Sequence, residues 1–532
     1  MKATPLLVLF AVLTAWWNRG EAAGKPNIVL IMADDLGYSD LGCYGSEIST
    51  PNLDRLAKGG LRFTQFYNNA KCGPSRASLL TGLYPQQGRI ARNNLNIAEV
   101  MKLIGYRTLM TGRNGGLAGS PVKCGFDRFY GLLDSGCCNY FNPGLRRSGE
   151  GEPGRKYPGE QRAWANDGKL LQPFTPEDRN FYGTDAFTDA ALDYLDKYGR
   201  EDRPFFLYLP YTAPHFPIQA RPEDIAKYRG KYRSGWDAIR QSRFSRLVEL
   251  GLVDKREIVS RRDPNVPAWD ELDEGTRDRW DLHMAVYAAM VDRMDRGIGR
   301  IMARIRELDI EEDTLVLFLS DNGACAEDYK AFKTTAPEVP PGPMESYRTQ
   351  GAPWANVSNT PFRKFKWWLH EGGIASPLIA YWPKVIKKGG GITRQVGHIM
   401  DLMPTCIDVA GGEYPASHQG RKLAPLEGRS LLPILQGEER RGHEALYWQF
   451  GQCRAIRKGN WKLVAPHPNS RLGIDYFNET DAPKRDGDKE IPWELYDLRS
   501  DRTERNNLAG KFPDRARELA GLFSSWSARV RK

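Results

Sequence analysis

The stretch Asn27-Ile28-Val29-Leu30-Ile31-Met32-Ala33-Asp34-Asp35 joins a short apolar, β-branched run to two acidic residues. A run of this length predicts a buried β-strand with the acidic pair at its carboxyl end. Residues 205–210 and 314–320 show the same pattern, because Pro214-His215 follows the first closely and Asp321-Asn322 follows the second directly. In a parallel sheet, groups placed at the carboxyl ends of strands gather at one edge, where ligands bind.

Helical patterns alternate with these strands along most of the chain. The predicted helices cover residues 53–60, 75–81, 97–104 and 281–308, and further strands are predicted at residues 106–111 and 376–382. This alternation favours an α/β fold, with a large, mainly parallel sheet flanked by helices.

The last hundred residues follow a different pattern. Residues 455–457, 461–464 and 493–498 predict short strands, and residues 514–530 predict a closing helix. We expect a small C-terminal antiparallel sheet plus a helix, packed on the main unit, with the boundary in the Gly-rich and charged residues 437–442. The predicted division is residues 1–23, 24–440 and 441–532.

Composition limits the possible functions. The chain has 532 residues, 41% of them hydrophobic, so it can bury a large core, and a length of this kind usually divides into two units. The formal net charge of +10 raises the local concentration of anions, whether nucleic acid, membrane headgroups or sulfated glycans, although a solvated basic surface is the ordinary interpretation. No zinc-finger spacing, RNP-like string or long Lys/Arg block is present, so we expect no nucleic-acid partner.

The N-terminus predicts export. Lys2 precedes an apolar run over residues 5–17, and small residues follow at Gly20, Ala22 and Ala23, which is typical of a signal peptide over residues 1–23. The run is too short to span a bilayer, so we expect a periplasmic or secreted protein without stable membrane insertion. The eight cysteines match no metal-site spacing, and burial is expected for all but Cys72.

Cys72-Gly73-Pro74-Ser75-Arg76, followed by Leu80-Thr81-Gly82, is the most specific motif in the chain. A residue just before a helix start faces free backbone N–H groups that favour anions, and Arg76 adds a positive charge. An isolated Cys here is either a buried structural residue or a thiolate nucleophile of low pKa.

Oxygen ligands form a second group. Asp34, Asp35, Asp321 and Asn322 supply only oxygen atoms, which suit calcium or magnesium better than zinc. Taken as separate pairs, they are also ordinary turn or cap residues. Three more candidates follow: His215 lies just after a predicted strand, and Lys366 and His370 lie in a basic, glycine-containing stretch.

Together these motifs resemble the formylglycine-dependent sulfatase family, most closely its bacterial arylsulfatase-like branch in the alkaline-phosphatase-like superfamily. The resemblance extends through Thr50-Pro51-Asn52-Leu53-Asp54 and the closing Leu495-Tyr496-Asp497-Leu498, and so covers nearly the whole chain. It implies that a maturation enzyme oxidises Cys72 to formylglycine (3-oxoalanine), whose hydrate presents two hydroxyls on one carbon.

The same resemblance implies a role for each site residue. One Ca²⁺ per chain is expected between residue 72 and the four oxygen-bearing residues. Arg76 is expected to steady the aldehyde hydrate, His215 to protonate the leaving oxygen as a general acid, and Lys366 to contact the sulfate.

One segment departs from the family. Where the family reads Gly-Lys-Trp-His-Leu-Gly, this chain reads Gly112-Arg113-Asn114-Gly115-Gly116-Leu117. Arg113 can still bind sulfate through its charge, but Gly115 cannot move a proton, and loss of a positioned base costs roughly 10²- to 10⁴-fold in rate. Four alternatives follow from this departure. The chain is an ordinarily active sulfatase that tolerates the change, a slow enzyme, an enzyme in which another group such as His370 or water replaces the base, or a degenerate relative that binds sulfated ligands.

Three functions therefore remain open. The first is hydrolysis of a sulfated small molecule or sulfated glycan. The second is phosphoester hydrolysis on the same fold, which usually uses a Ser or Thr nucleophile and two zinc ions. The third is binding of sulfated glycans with little turnover.

Overall fold

The computed structural model describes residues 24–90, 93–134, 138–327, 334–465 and 492–531. The strands of the main sheet are β1 (Asn27–Ala33), β2 (Leu61–Tyr67), β3 (Arg107–Arg113), β4 (Arg128–Leu132), β5 (Trp164–Asn166), β6 (Lys169–Leu171), β7 (Phe205–Pro210), β8 (Thr314–Ser320), β9 (Ala375–Tyr381), β10 (Gly391–Thr393) and β11 (Gly397–His398). Two short strands, β12 (Ser417–His418) and β13 (Arg421–Lys422), form a separate hairpin.

The helices alternate with these strands. They are α1 (Pro51–Gly59), α2 (Cys72–Thr81), α3 (Pro85–Ile90), α4 (Ile97–Leu103), α5 (Gly183–Tyr198), α6 (Pro222–Ala226), α7 (Gly235–Glu249), α8 (Glu274–Glu307), α9 (Ala352–Ser358), α10 (Glu371–Ile374), α11 (Leu402–Val409), α12 (Leu432–Leu435) and α13 (Pro513–Val530).

The main sheet confirms the predicted mainly parallel architecture. Its strand order is β10-β2-β9-β8-β1-β7-β3-β4-β5-β6, and β11 pairs with β2 beside β10. The central strands β8, β1, β7, β3 and β4 all run in the same direction, while β9 and β5 run against their neighbours. The parallel centre brings the carboxyl ends of β1, β7 and β8 to one edge.

Both faces of the sheet are covered. Along β1, Val29 and Ile31 belong to one buried cluster, and Ile28, Leu30 and Met32 belong to the other. The first cluster contains residues of α1, α5 and α8, and the second contains residues of α2, α4 and α11. This double burial explains why β1 and β8 are apolar throughout, since each of their faces meets a helical layer.

Two helix starts differ from the predicted positions. The long helix α8 begins at Glu274 rather than at residue 281, because the Asp273 side chain caps it by accepting a hydrogen bond from Thr276 N (2.9 Å). Helix α2 begins at Cys72 rather than after Pro74. A proline in the first turn interrupts no backbone hydrogen bond there, so the reactive position lies inside the helix.

The C-terminal unit is the predicted antiparallel sheet plus helix. Its strands are β14 (Leu446–Phe450), β15 (Cys453–Lys458), β16 (Trp461–Ala465) and β17 (Glu494–Asp497), paired in that order. Helix α13 covers the sheet, and its Trp526 ring stacks on Tyr447 with centroids 5.0 Å apart. Buried residues of this sheet join the same apolar cluster as one face of the main sheet. The division at residue 440 stays a prediction.

A buried ion cluster joins this sheet to the main unit. The ammonium group of Lys462, on β16, lies 2.9 Å from Glu371 Oε1 and 2.8 Å from Glu504 Oε1, and all three side chains are fully buried. Arg502 donates to Glu371 Oε2 (3.0 Å). Although burial opposes its charged form, the charges of Lys462 and Arg502 lower the pKa of Glu371 to about 2.

Other sequence predictions have mixed outcomes. Cys43, Cys325 and Cys406 are buried as expected, but Cys124 is only half-buried, because it lies in a short 3-10 turn at the surface. Cys137 and the predicted signal peptide lie outside the described residues. Among the helices of the described ranges, none has the length and apolar character needed to cross a bilayer.

Candidate active site

The acidic residues converge at the carboxyl ends of two neighbouring strands. Strands β1 and β8 pair in parallel with Ala33 opposite Ser320, so the residues that follow each strand emerge side by side. Asp34 and Asp35 therefore lie beside Asp321 and Asn322, and Asp35 N donates to Asp321 Oδ1 (3.3 Å). The sequence prediction that these residues meet at one edge of the sheet is thus correct in position.

Two arginine side chains neutralise the charges of Asp34 and Asp321. Arg76, on α2, donates from Nε to Asp321 Oδ2 (3.0 Å) and from Nη2 to Asp34 Oδ2 (3.0 Å). Arg113, at the end of β3, forms a second ion pair with Asp34. Burial opposes ionisation of Asp34, but the charges of Arg113 and Arg76 hold its pKa well below the usual range. Burial and the Asp34 charge raise the pKa of Asp321 to about 7.

Cys72 faces this charged cluster from the first turn of α2. Its Sγ lies within 4.8 Å of ligand atoms of Asp34 and Asp321, and Arg113 Nη2 lies 3.4 Å from it. The side chain is 8% exposed, so the sulfur lies beneath the surface but within reach of a small molecule. The position thus combines a helix N-terminus with two fixed guanidinium groups.

His215 and Lys366 lie beside Asp35 in the same site. Lys366 Nζ lies 2.8 Å from Asp35 Oδ1 and 3.2 Å from His215 Nε2. Burial opposes the charged form of Lys366, but the Asp35 carboxylate raises its pKa well above the ordinary value, so the ammonium stays charged. His215 Nδ1 donates to the carbonyl of Phe216 (2.7 Å), which leaves Nε2 as the ring atom that faces the site.

The oxygen atoms fit a hard divalent cation. Asn322 Nδ2 donates to Asp35 Oδ1 (2.6 Å), and this contact fixes the orientation of the amide. The remaining Asn322 Oδ1 and the Asp34 Oδ1 atom are buried and have no hydrogen-bond partner. Buried polar atoms are normally satisfied, so two such oxygens at one point indicate a place for a cation. Because His and Cys are not needed to complete this oxygen set, calcium or magnesium fits it better than zinc.

Gly115 lies directly against Arg76. A Cβ atom placed at residue 115 would lie 2.5 Å from Arg76 Cδ, so the space that a side chain would need is filled by the arginine stem. The departure at Gly115 is therefore linked to the position of Arg76, which the ion pairs with Asp34 and Asp321 hold in place.

Substitution Gly115→Ala is expected to lower kcat/KM of the reaction at this site about 10²-fold, because Arg76 must shift and small displacements of positioning groups have effects of this size. Steady-state kinetics on purified protein measure it. Gly442→Ala is the matched control, since a Cβ there meets no atom within 4 Å. Equal kinetics for the two variants would show that Arg76 moves freely.

His370 lies outside the group of residues round Cys72. Its Nε2 atom is 2.8 Å from Glu494 Oε2 on β17, and burial lowers its pKa. The contacts that the structure gives His370 are with Trp368 and the C-terminal sheet rather than with the residues round Cys72. The hypothesis that His370 replaces the missing base therefore has no structural support.

Sequence reasoning missed the residues beside Lys366. Lys71 Nζ lies over the Trp367 ring, 2.9 Å from its centroid, and Trp367 Nε1 donates to Glu327 Oε1 (2.6 Å). Burial and the charge of Lys366 lower the pKa of Lys71 to about 8. Their positions in the sequence could have indicated them, because Lys71 directly precedes Cys72 and Trp367 directly follows Lys366.

The fold is a mainly parallel sheet with helices on both faces, and a buried acidic cluster lies at the strand ends beside a helix start. This arrangement is the one expected for a hydrolase of the alkaline-phosphatase-like superfamily, and the sequence comparisons support that class. The sulfatase family model matches residues 26–412, and the model named N-sulphoglucosamine sulphohydrolase, C-terminal, matches residues 362–519. The chain belongs to the sulfatase family.

Similar proteins agree with this assignment. An uncharacterized sulfatase of Schizosaccharomyces pombe is 32% identical, with 96% of this chain and 95% of that protein covered. The arylsulfatase of Klebsiella aerogenes is 30% identical over 77% of this chain and 92% of its own length. The N-acetylgalactosamine-6-sulfatase of Canis lupus familiaris is 28% identical over 89% and 79%.

Among solved structures, the protein named Ps i-CgsB in complex with k-i-k-neocarrahexaose superposes with a TM-score of 0.63. It is 24% identical, and the alignment covers 94% of this chain and 93% of that one. At this identity the likeness supports the fold. Family membership thus rests on the sequence comparisons, and sulfuric ester hydrolysis is the activity that the family and its curated members support.

Proposed function

We propose that this protein hydrolyses sulfate esters, releasing inorganic sulfate, through a formylglycine formed from Cys72 by a maturation enzyme and with one calcium ion bound beside it. The observation that carries the proposal is the joint placement of Cys72, two guanidinium groups and two unpartnered buried oxygens at the carboxyl ends of β1 and β8. Small aryl sulfates and sugar sulfates, the substrates named for the relatives, are the substrate classes we propose.

Residue 72 supplies the reactive group. When formed, the hydrated aldehyde offers two hydroxyls on one carbon, one to attack sulfur and the other to expel sulfate as the carbonyl re-forms. Arg113, 3.4 Å from the Cys72 sulfur, binds and orients a sulfate oxygen. Arg76 keeps Asp34 and Asp321 in place and adds positive charge where negative charge develops.

Lys366 and His215 act on the leaving group. Lys366 remains charged beside Asp35, so it attracts the sulfate and its bridging oxygen. His215 presents Nε2 to the same space, and a proton on that atom can pass to the leaving oxygen as the S–O bond breaks. Both groups are more than nine-tenths buried, so bulk water does not screen them.

Asp34, Asp35, Asp321 and Asn322 would hold the calcium ion together with residue 72. A bound divalent cation would add positive charge that favours the sulfate ester in the site. The charges of Arg76 and Arg113 partly offset the three carboxylates already, which suits a site for one cation rather than two.

We propose that turnover is slow rather than absent. Gly115 moves no proton, and His370 is held by the C-terminal sheet, so water is the group left to accept the proton during sulfate release. Cys72 in place of a Ser or Thr nucleophile, and Asn322 in place of a zinc-binding His, argue against phosphoester hydrolysis. We also propose export to the periplasm or the exterior, from the sequence of residues 1–23.

The test is to produce the protein in a host that has the maturation machinery. We expect the peptide that carries Cys72 to lose one sulfur and two hydrogens and to gain one oxygen, and the purified protein to contain about one calcium per chain. It should release sulfate from 4-nitrophenyl sulfate. An unmodified thiol, under conditions that convert a known sulfatase, contradicts the enzyme proposal and favours a binding protein for sulfated glycans.

A further inference from the structure

Lys71 is a cation that the proposed mechanism does not use. It directly precedes Cys72 as the N-cap residue of α2, it is half-buried, and its ammonium group lies over the Trp367 ring. In the part of the chain that the structure describes, no carboxylate forms a direct ion pair with Lys71, although the charge of Glu327, which accepts a hydrogen bond from Trp367 Nε1, acts on it. A half-buried cation without a directly contacting counter-ion, one residue from the reactive position, indicates a place for an anion.

Trp367 is held firmly under this cation. Its φ of 82° is rare for a residue with a side chain, and such a strained conformation persists only where the surrounding structure imposes it. Two hydrogen bonds impose it here: Trp367 N donates to Ala70 O (2.7 Å), and Trp367 Nε1 donates to Glu327 Oε1 (2.6 Å). Three further positive-φ residues, Asp35, Ala70 and Lys364, lie in or beside the site. Backbone strain of this kind concentrates at ligand-binding positions.

A second aromatic ring extends this surface. Phe450, the last residue of β14, meets the Trp367 ring edge-on with centroids 5.0 Å apart. Both rings are half-buried, in contrast to Phe216 next to His215, which packs with Cys325 and Tyr347 in a buried cluster. Trp367 and Phe450 therefore offer apolar surface at the rim, on the side of Lys366 that faces the C-terminal sheet.

Resting on the sulfatase activity proposed above, we infer that Lys71, Trp367 and Phe450 bind a sugar leaving group that carries a second anionic substituent. The C–H face of a pyranose ring is apolar and packs on aromatic rings, and an ammonium group beside them pairs with a carboxylate or a second sulfate. Lys366 is already engaged by Asp35 and His215, so Lys71 is the cation left for this second anion.

The experiment uses Cys72→Ala protein, which cannot turn over, and isothermal titration calorimetry. The probes are glucosamine-6-O-sulfate, glucosamine-2-N,6-O-disulfate and a monosulfated disaccharide that contains a uronic acid. Adding Lys71→Gln is expected to weaken binding of a doubly anionic probe about 10-fold and to change binding of the monosulfate by less than about 3-fold. Lys71→Arg should retain the preference.

Lys384→Gln is the matched control, because it removes the same charge beside Asp313, at the amino end of β8. A selective loss with the disulfate identifies a second sulfate, and a selective loss with the uronic acid identifies a carboxylate; both support the inference. An equal change for all probes, no change, or no binding of any probe contradicts it. Hydrolysis of 4-nitrophenyl sulfate by the unsubstituted protein tests the sulfatase proposal separately, so the two failures are distinguishable.

Discussion

Sulfate release by Cys72→Ala protein is expected to fall at least about 10⁴-fold, to the uncatalysed background, because alanine can neither form the aldehyde nor attack sulfur. The remaining binding groups, among them Arg113 and Lys366, do not supply a nucleophile. The measurement is release of 4-nitrophenol from 4-nitrophenyl sulfate, with protein made in a host that forms formylglycine. The free energy of unfolding should change little, since the side chain faces the site rather than a core.

Cys406→Ala is the matched control for this substitution. Cys406 is a buried thiol of α11 that packs in the cluster on one face of the sheet, away from the residues round Cys72. We expect the control to keep its activity despite a small loss of stability. Activity retained in the Cys72→Ala protein, above that of a mock purification, would refute the proposed mechanism.

Substitution Lys462→Ala is expected to lower the free energy of unfolding by about 3 to 5 kcal/mol, because it leaves two buried carboxylates without their shared cation. Glu371 and Glu504 lie 2.9 and 2.8 Å from the ammonium group, and none of the three is exposed to solvent. Chemical denaturation followed by circular dichroism measures the change.

The control for this stability prediction is Lys458→Ala. Lys458 lies on the adjacent strand and pairs with Glu518, but both side chains are exposed, so the loss should stay below about 1 kcal/mol. A comparable loss of unfolding free energy in both variants would mean that the burial of Lys462 does not increase its contribution to stability. A stable Lys462→Ala protein would mean that Glu371 or Glu504 takes up a proton when its partner is removed.

The sequence predicted those parts of the fold that depend on local pattern. Strands β1 and β8 were predictable because they are short, apolar on both faces and bounded by acidic residues. That their carboxyl ends lie at one edge of the sheet followed from the rule for parallel sheets. That the two strands are close enough for the four oxygen-bearing residues to meet followed from the family resemblance, because strand patterns do not specify which strands are neighbours.

Features that depend on distant contacts were not predictable. The reversed direction of β9 depends on the path of the long connection between β8 and β9, which a strand pattern does not contain. The Lys462 cluster joins residues more than 90 positions apart, and each of its members alone is an ordinary charged residue. The departure at Gly115 was visible in the sequence, but its packing against Arg76 was not, because that contact joins the loop after β3 to α2.

The Phe450 contact has a consequence for how such a protein can diversify. Phe450 and Cys453 pair across the tight turn between β14 and β15, so the Phe450 ring lies at the end of a hairpin in the C-terminal sheet, whereas Cys72 and Arg76 lie on α2 in the main unit. Replacing the turn that carries Phe450 would change what packs on Trp367 without moving residue 72 or the ion pairs of Arg76 and Arg113 beside it. If Trp367 and Phe450 bind the leaving group as proposed, substitutions in this hairpin turn would change substrate preference while the residues that carry the reaction keep their positions.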